Sequence, residues 1–174
     1  MPLHSRILLI GCGGSGKSTL ARKLGKATGL PVVHLDSLYW KPGWQHLSKE
    51  EFDEALAAEL QKSEWILDGN FDRTIPLRLR YCDAVIFLDL PRMVCLLGVI
   101  RRVLLSYGRT RPDMGEGCPE RFDFSFLKWV WTFNDQKRDK YLSLLNESGK
   151  TFYRIRSRRE LPALIQKIAA SKEE

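Results

Sequence analysis

The segment Gly11-Cys12-Gly13-Gly14-Ser15-Gly16-Lys17-Ser18 constrains this chain more than any other part of it. It matches G-x-x-x-x-G-K-[ST] at every position, and it sits between an apolar run (Arg6–Ile10) and a stretch (Lys17–Thr28) with Leu20, Ala21, Leu24 and Ala27 at helical spacing. Glycines let the backbone curl until successive N–H groups converge on one anion, and the helix that follows adds its positive end. Gly11, Gly13, Gly14, Ser15, Gly16, Lys17, Ser18 and Thr19 are therefore the candidates for holding a nucleoside triphosphate, with ATP the expected one. Lys17 is placed to reach the β and γ oxygens, and the Ser18 hydroxyl suits Mg²⁺. Cys12 reads as a small filler, since no base lies near it in sequence.

Four more apolar runs, Pro31–Leu35, Trp65–Asp68, Ala84–Leu88 and Thr151–Ile155, alternate with helical stretches at Ser48–Gln61, Pro91–Leu105, Phe122–Leu145 and Glu160–Ala170. This order predicts an α/β protein: a P-loop three-layer αβα domain over residues 1–174, with a five-stranded parallel sheet and helices on both faces. Residues 106–121, rich in Gly, Pro and Arg and without periodicity, read as a short lid; residues 36–62 read as the acceptor-site segment. No apolar run approaches the ~20 residues of a membrane span, and the N-terminus does not read as a signal peptide. Cys12, Cys82, Cys95 and Cys118 are widely spaced, which suits a reducing cytoplasm.

In parallel sheets ligands bind beyond the carboxyl ends of the strands. Asp68 ends one such strand, where a carboxylate would hold Mg²⁺; Asp89 ends the next and is its rival. Asp68 is favoured because Gly69 leaves room for a nucleotide, whereas Asp89-Leu90-Pro91 reads as the cap of a helix. Asp36 follows the second strand, where it could act as general base toward a hydroxyl acceptor. Tyr39, Trp40 and Trp44 beside it either stack a nucleobase or pin their loop to the core.

With these motifs in place the chain resembles the P-loop nucleoside-monophosphate kinases, adenylate kinases in particular. Ile66–Thr74 (ILDGNFDRT) is similar to the adenylate kinase stretch Asp-Gly-Phe-Pro-Arg-Thr, and the resemblance implies that Arg73 holds an acceptor phosphate. The combination GCGGSGKST, HLDSLYWKPGW, ILDGNF and RSRRE resembles, more closely, bacterial DNA topology modulation proteins, a branch of the same superfamily. Two readings follow. The first is a kinase that moves the γ-phosphoryl group of ATP to a small acceptor, a nucleoside monophosphate in the adenylate kinase pattern. The second is a nucleic-acid-associated ATPase that modulates DNA topology.

Charge separates the two. The 28 Lys+Arg and 21 Asp+Glu leave a net +7, and the surplus falls within residues 101–159, around the lid. Phosphoryl transfer needs positioned positive charge, and arginine grips phosphate bidentately. Arg102, Arg109, Arg111 and Arg138 from this stretch join Arg73 as candidate phosphate-binding groups, Arg109 and Arg111 from the lid itself. No nucleic-acid recognition motif is present, so weak, non-specific and salt-sensitive association is what the charge predicts toward nucleic acid. The expected partners are ATP and a small acceptor, with no membrane, in a monomer or homodimer.

Overall fold

The run Arg6–Gly11 forms β1, the middle strand of a five-stranded parallel sheet, in a computed structural model that describes residues 4–173. Helix α1 (Lys17–Thr28) and strand β2 (Val32–His34) follow. A short helix α2 (Leu35–Tyr39) then leads into a two-stranded hairpin, β3 (Trp40–Lys41) and β4 (Gln45–His46). Next come α3 (Lys49–Leu60), β5 (Trp65–Asp68), α4 (Ile75–Tyr81), β6 (Ala84–Leu88) and α5 (Arg92–Ser106). Helices α6 (Phe124–Gln136) and α7 (Arg138–Glu147), strand β7 (Thr151–Ile155) and helix α8 (Leu161–Glu173) complete the chain.

The sheet order is β2-β5-β1-β6-β7. Strand side chains alternate between faces, and two core clusters record it. Ile7, Leu9, Ile66, Ile86 and Leu88 pack with α1 and α8. Leu8, Ile10, Leu67, Val85 and Phe87 pack with α3, α4, α5, α6 and α7 on the other face. Double coverage explains why these strands read as unbroken apolar runs. The αβα architecture and the five strands agree with the sequence expectation.

Two local features differ from that expectation, and a third adds to it. Residues 75–81 form α4, whose apolar positions are too few to show a period. The stretch 122–145 is not one helix: the chain turns at Lys137 (φ −121°) between α6 and α7. No glycine or proline marks this corner; it is held by Lys137 to Asp72 at 2.6 Å and by Arg138 to Asp89 at 2.9 Å. The flap 106–121 is fastened rather than free. Gly108 N–H donates to Glu120 O (2.9 Å), Gly43 N–H to Gly117 O (3.0 Å), and the Cys118 thiol to Lys41 O (3.1 Å). The flap thus rides on the β3–β4 hairpin.

The phosphate loop is wedged against α5 with no clearance. A Cβ at Gly14 would lie 2.1 Å from Cys95 O, and one at Gly98 would lie 2.2 Å from Gly14 O. Gly98→Ala is therefore expected to cost about 1–3 kcal/mol, the usual range for overpacking a tight contact, and to push the loop off its position. Thermal melting together with nucleotide binding checks both effects.

Candidate active site

The chain leaves β1 at Gly11 and turns through Gly13–Gly16 into α1. Gly11 belongs to the strand and is buried beneath the loop; its N–H donates to Asn70 Oδ1 at 3.0 Å. The buried Ser15 hydroxyl donates to Cys12 O (2.7 Å) and holds the curl from inside. Lys17 Nζ folds back onto the loop, donating to Gly11 O (2.7 Å) and Cys12 O (2.8 Å). The first N–H groups of α1 have no partner within the helix and point out of its end. Cys12 is buried, and contact with the Cys95 thiol together with burial raises its pKa strongly, so it is a poor nucleophile.

Above the loop lies a cleft of about 940 Å³, lined by Gly13–Thr19, Asp36, Asp68, Arg101, Arg102, Arg111 and Arg158, with Leu161, Pro162 and Ile165 of α8 at one side. Asp68 is 5% exposed. One of its oxygens meets His34 Nδ1 at 2.9 Å, while Oδ1 is buried with no hydrogen-bond partner. A buried, unpaired carboxylate oxygen in the same cleft as the Ser18 hydroxyl fits a hard divalent cation. The rival carboxylate, Asp89, is taken: Arg138 reaches it at 2.9 Å and Arg154 at 2.7 Å. It is the buried centre of an ion-pair cluster whose arginines reach the surface, and it does not cap α5, whose first turn has no side-chain cap.

Asp36 stands at the opening between this cleft and a second cavity of about 290 Å³. Burial, and then the neighbouring Asp68 carboxylate, push its pKa up from the ordinary 3.8 to about 6, against the pull of Lys17 and Arg111. The second cavity is walled by Tyr39, Trp40, Trp44, Phe71, Phe122 and Phe126, and it shares Asp36, Phe71, Arg102, Arg111 and Phe126 with the first.

The candidate arginines divide into two groups. Arg102 and Arg111 line the cleft, joined through Glu120 at 2.9 and 2.8 Å, and Arg111 also pairs with Asp113 at 2.7 Å. Burial would raise the Asp113 carboxyl, but Arg111 and a hydrogen bond with Ser18 outweigh it and hold it below the usual range. The flap therefore reaches the phosphate loop through Asp113. Arg73, Arg109 and Arg138 do not line the cleft. Arg73 makes a surface ion pair with Asp53 at 2.6 Å, Arg109 is exposed on the flap, and Arg138 serves Asp89. Thr19 is exposed at the rim.

Three residues of the site have roles that no quoted motif states, although His34 lies within HLDSLYWKPGW and Arg158 within RSRRE. His34 pairs in register with Asp68 across β2 and β5, a neighbour relation that exists only once the strand order is known. Arg158 donates to Gly14 O at 3.0 Å from the turn after β7. Arg78 is fully buried and donates to the carbonyls of Gly69 (2.7 Å), Asn70 and Phe71 (3.3 Å), which holds the loop after β5 in place.

A parallel sheet with this strand order, a G-x-x-x-x-G-K-S turn after its middle strand and carboxylates beyond the neighbouring strands together define a P-loop αβα fold. Two solved structures share it over nearly their full length. Deoxyadenosine kinase from M. mycoides with bound dATP is 14% identical, with a TM-score of 0.57, covering 95% of this chain and 99% of its own. Shikimate kinase from Bacteroides thetaiotaomicron is 14% identical, with a TM-score of 0.56, covering 98% and 99%. No family model and no curated protein matches the sequence.

Proposed function

We propose that this protein is an ATP-dependent kinase that phosphorylates a hydroxyl group on a small acceptor. The observation that carries this reading is the meeting of two chambers at Asp36, Arg102 and Arg111: one over the phosphate loop, the other lined with aromatic side chains. The two fold relatives, a deoxyadenosine kinase and a shikimate kinase, are both kinases. A nucleoside-monophosphate acceptor, implied by the adenylate kinase resemblance, would arrive already ionised and need no base. The half-buried Asp36 favours a hydroxyl instead.

In the step that follows, Asp36 takes the proton of the acceptor hydroxyl as the oxygen attacks the γ-phosphorus. The bond from the γ-phosphorus to its bridging oxygen breaks, and ADP leaves. Lys17 exchanges the Gly11 and Cys12 carbonyls for phosphate oxygens, and Arg102 and Arg111 neutralise the charge that develops on the transferred group. Ser18 and Asp68 would hold Mg²⁺, which supplies further charge neutralisation at the phosphates. The apolar side chains of Leu161, Pro162 and Ile165 offer a surface for the base of ATP.

A DNA-directed role has less support. Arg138 and Arg154 of the basic stretch are engaged by Asp89, and Arg102 and Arg111 of the same stretch line the two chambers. A cavity of about 290 Å³ admits a small molecule and not a strand. No helix among the described residues is long and apolar enough to cross a membrane, and the four free, buried cysteines suit a reducing cytoplasm.

A transfer screen with γ-labelled ATP over nucleosides, nucleoside monophosphates and small hydroxy metabolites tests the reading; transfer to monophosphates alone would reverse the choice of acceptor. Asp36→Asn is expected to lower the rate about 10²–10⁴-fold, the usual contribution of a positioned base. The wild-type rate should climb as pH rises through about 6, where Asp36 loses its proton, and the variant should lack that limb. Stability runs the other way. A carboxyl raised from 3.8 to about 6 binds its proton more tightly when folded, so its stabilising contribution is present at low pH and fades as pH rises through that window.

A further inference from the structure

Among the described residues only two other than glycine hold left-handed backbone, Trp44 (φ +61°) and Phe71 (φ +40°). Left-handed backbone is unfavourable for a bulky side chain and is kept where the surrounding structure imposes it, often at functional sites. Both residues line the same cavity, although one lies on the hairpin and the other follows β5. Glycine at either position would remove the strain, so what the strain retains is the ring itself.

The rings form one edge-to-face cluster around the cavity. Trp40 and Trp44 meet edge-on at 5.4 Å (73°), and Tyr39 and Phe71 at 5.0 Å (65°). Arg121 covers one face of Trp44 at 4.6 Å and Arg102 one face of Phe126 at 5.4 Å. Each edge-to-face contact sets neighbouring rings at a steep angle, so the cavity is walled by rings of several orientations against which a flat π-system can stack. Phe71 is fixed from behind by Phe52 at 4.8 Å and by the Arg78 bond to its carbonyl. At about 290 Å³ the cavity is near the lower end of ligand sites, ~300 Å³, which is room for one small molecule. Polar groups line it as well: Asp36, Arg102 and Arg111 are shared with the cleft over the phosphate loop, whereas Arg121 and Asp123 belong to this cavity and not to the cleft.

The geometry points to a nucleoside as the acceptor: a planar base lodged among the rings of Trp40, Trp44 and Phe71, its edge polar groups toward Arg121 and Asp123, its sugar hydroxyl toward Asp36. This rests on the kinase reading for the transfer itself but not for the binding. A base with an attached sugar fits an aromatic chamber that opens beside a carboxylate; a compact ring-free polyol leaves the rings without a partner.

Binding of adenosine, guanosine, cytidine and thymidine to the full chain, measured calorimetrically without ATP, is the test, with ribose as the control. At least one nucleoside should bind and ribose should not. Trp44→Gly should weaken that nucleoside at least ten-fold while its Tm stays level or rises, because glycine accepts φ +61° freely. Trp44→Phe should keep the affinity within about three-fold and Trp44→Leu should lose it, a contrast that packing alone does not produce. Failure of every nucleoside to bind overturns the inference, even if ATP-dependent transfer to another alcohol proves the kinase. Unchanged affinity in Trp44→Gly or in Trp44→Leu overturns it as well. Binding that shows this pattern without transfer upholds the subsite and defeats the kinase reading.

Discussion

Lys17→Ala is expected to lower ATP-dependent phosphoryl transfer at least ~100-fold, the scale seen when one preorganised donor to a developing charge is removed. The fold should persist. Lys17 is only half-buried, and its ammonium donates to two carbonyls, those of Gly11 and Cys12, beside an open cleft from which water can replace it. The net loss of stability should therefore stay near the ~1 kcal/mol of an ordinary hydrogen bond. Single-turnover transfer and a thermal melt on the same preparation separate the two effects. Lys17→Arg should not rescue the rate, because a planar guanidinium is bulkier than the compact ammonium that the curl of the loop encloses. Turnover within a few-fold of wild type in Lys17→Ala would remove the phosphate loop from the chemistry.

The largest effect on stability is expected at Arg78. This side chain is fully buried, donates to three successive backbone carbonyls, and has its pKa lowered by burial to about 10, so it remains charged at neutral pH. Arg78→Met keeps much of the volume and removes every donor, leaving the carbonyls of Gly69, Asn70 and Phe71 unpaired. Each buried acceptor left unpaired costs about 1–3 kcal/mol, and three successive carbonyls lose their donor together. Because the same loop carries Phe71, and Asn70 braces Gly11 under the phosphate loop, activity should fall in parallel. Arg73→Ala is the contrast. Its partner Asp53 is exposed, and exposed pairs are worth ~0–1 kcal/mol. Denaturant unfolding of the two variants side by side checks the ranking; similar losses would mean the buried carbonyls find other partners.

These two arginines, five residues apart, show what sequence makes visible. Arg73 is marked by its place in ILDGNFDRT, a local pattern, whereas Arg78 acquires its role from burial, which is not local. The phosphate loop and its glycines are legible because their chemistry is confined to eight consecutive residues. The same holds for the capping box at Ser48, where the hydroxyl accepts from Glu51 N–H at 3.1 Å and Glu51 returns to Ser48 N–H at 2.7 Å. The three central strands, β1, β5 and β6, are legible because burial on both faces writes them as apolar runs. Partnerships across the fold are not: Arg138 and Asp89 lie 49 positions apart, and their pairing also sets the α6–α7 corner. The basic surplus of residues 101–159 looks from sequence like counter-charge for phosphate, yet Arg138 and Arg154 are committed to a buried carboxylate, leaving Arg101, Arg102, Arg111 and Arg158 of that stretch in the cleft. The hairpin at 40–46 has only two residues per strand, too short for any period to register.

The fastened flap also couples the two ligands. Arg111 and Asp113 on the flap face the phosphate loop, while Gly117 and Cys118 of the same segment grip the hairpin that carries Trp40 and Trp44. A single piece of backbone is thus a wall of both chambers, so a ligand that shifts it from one side changes the shape offered on the other. Linkage requires that influence to be mutual: whatever factor the acceptor applies to the affinity for ATP, ATP applies to the affinity for the acceptor. The free energy of the doubly loaded protein is then the same whichever ligand enters first.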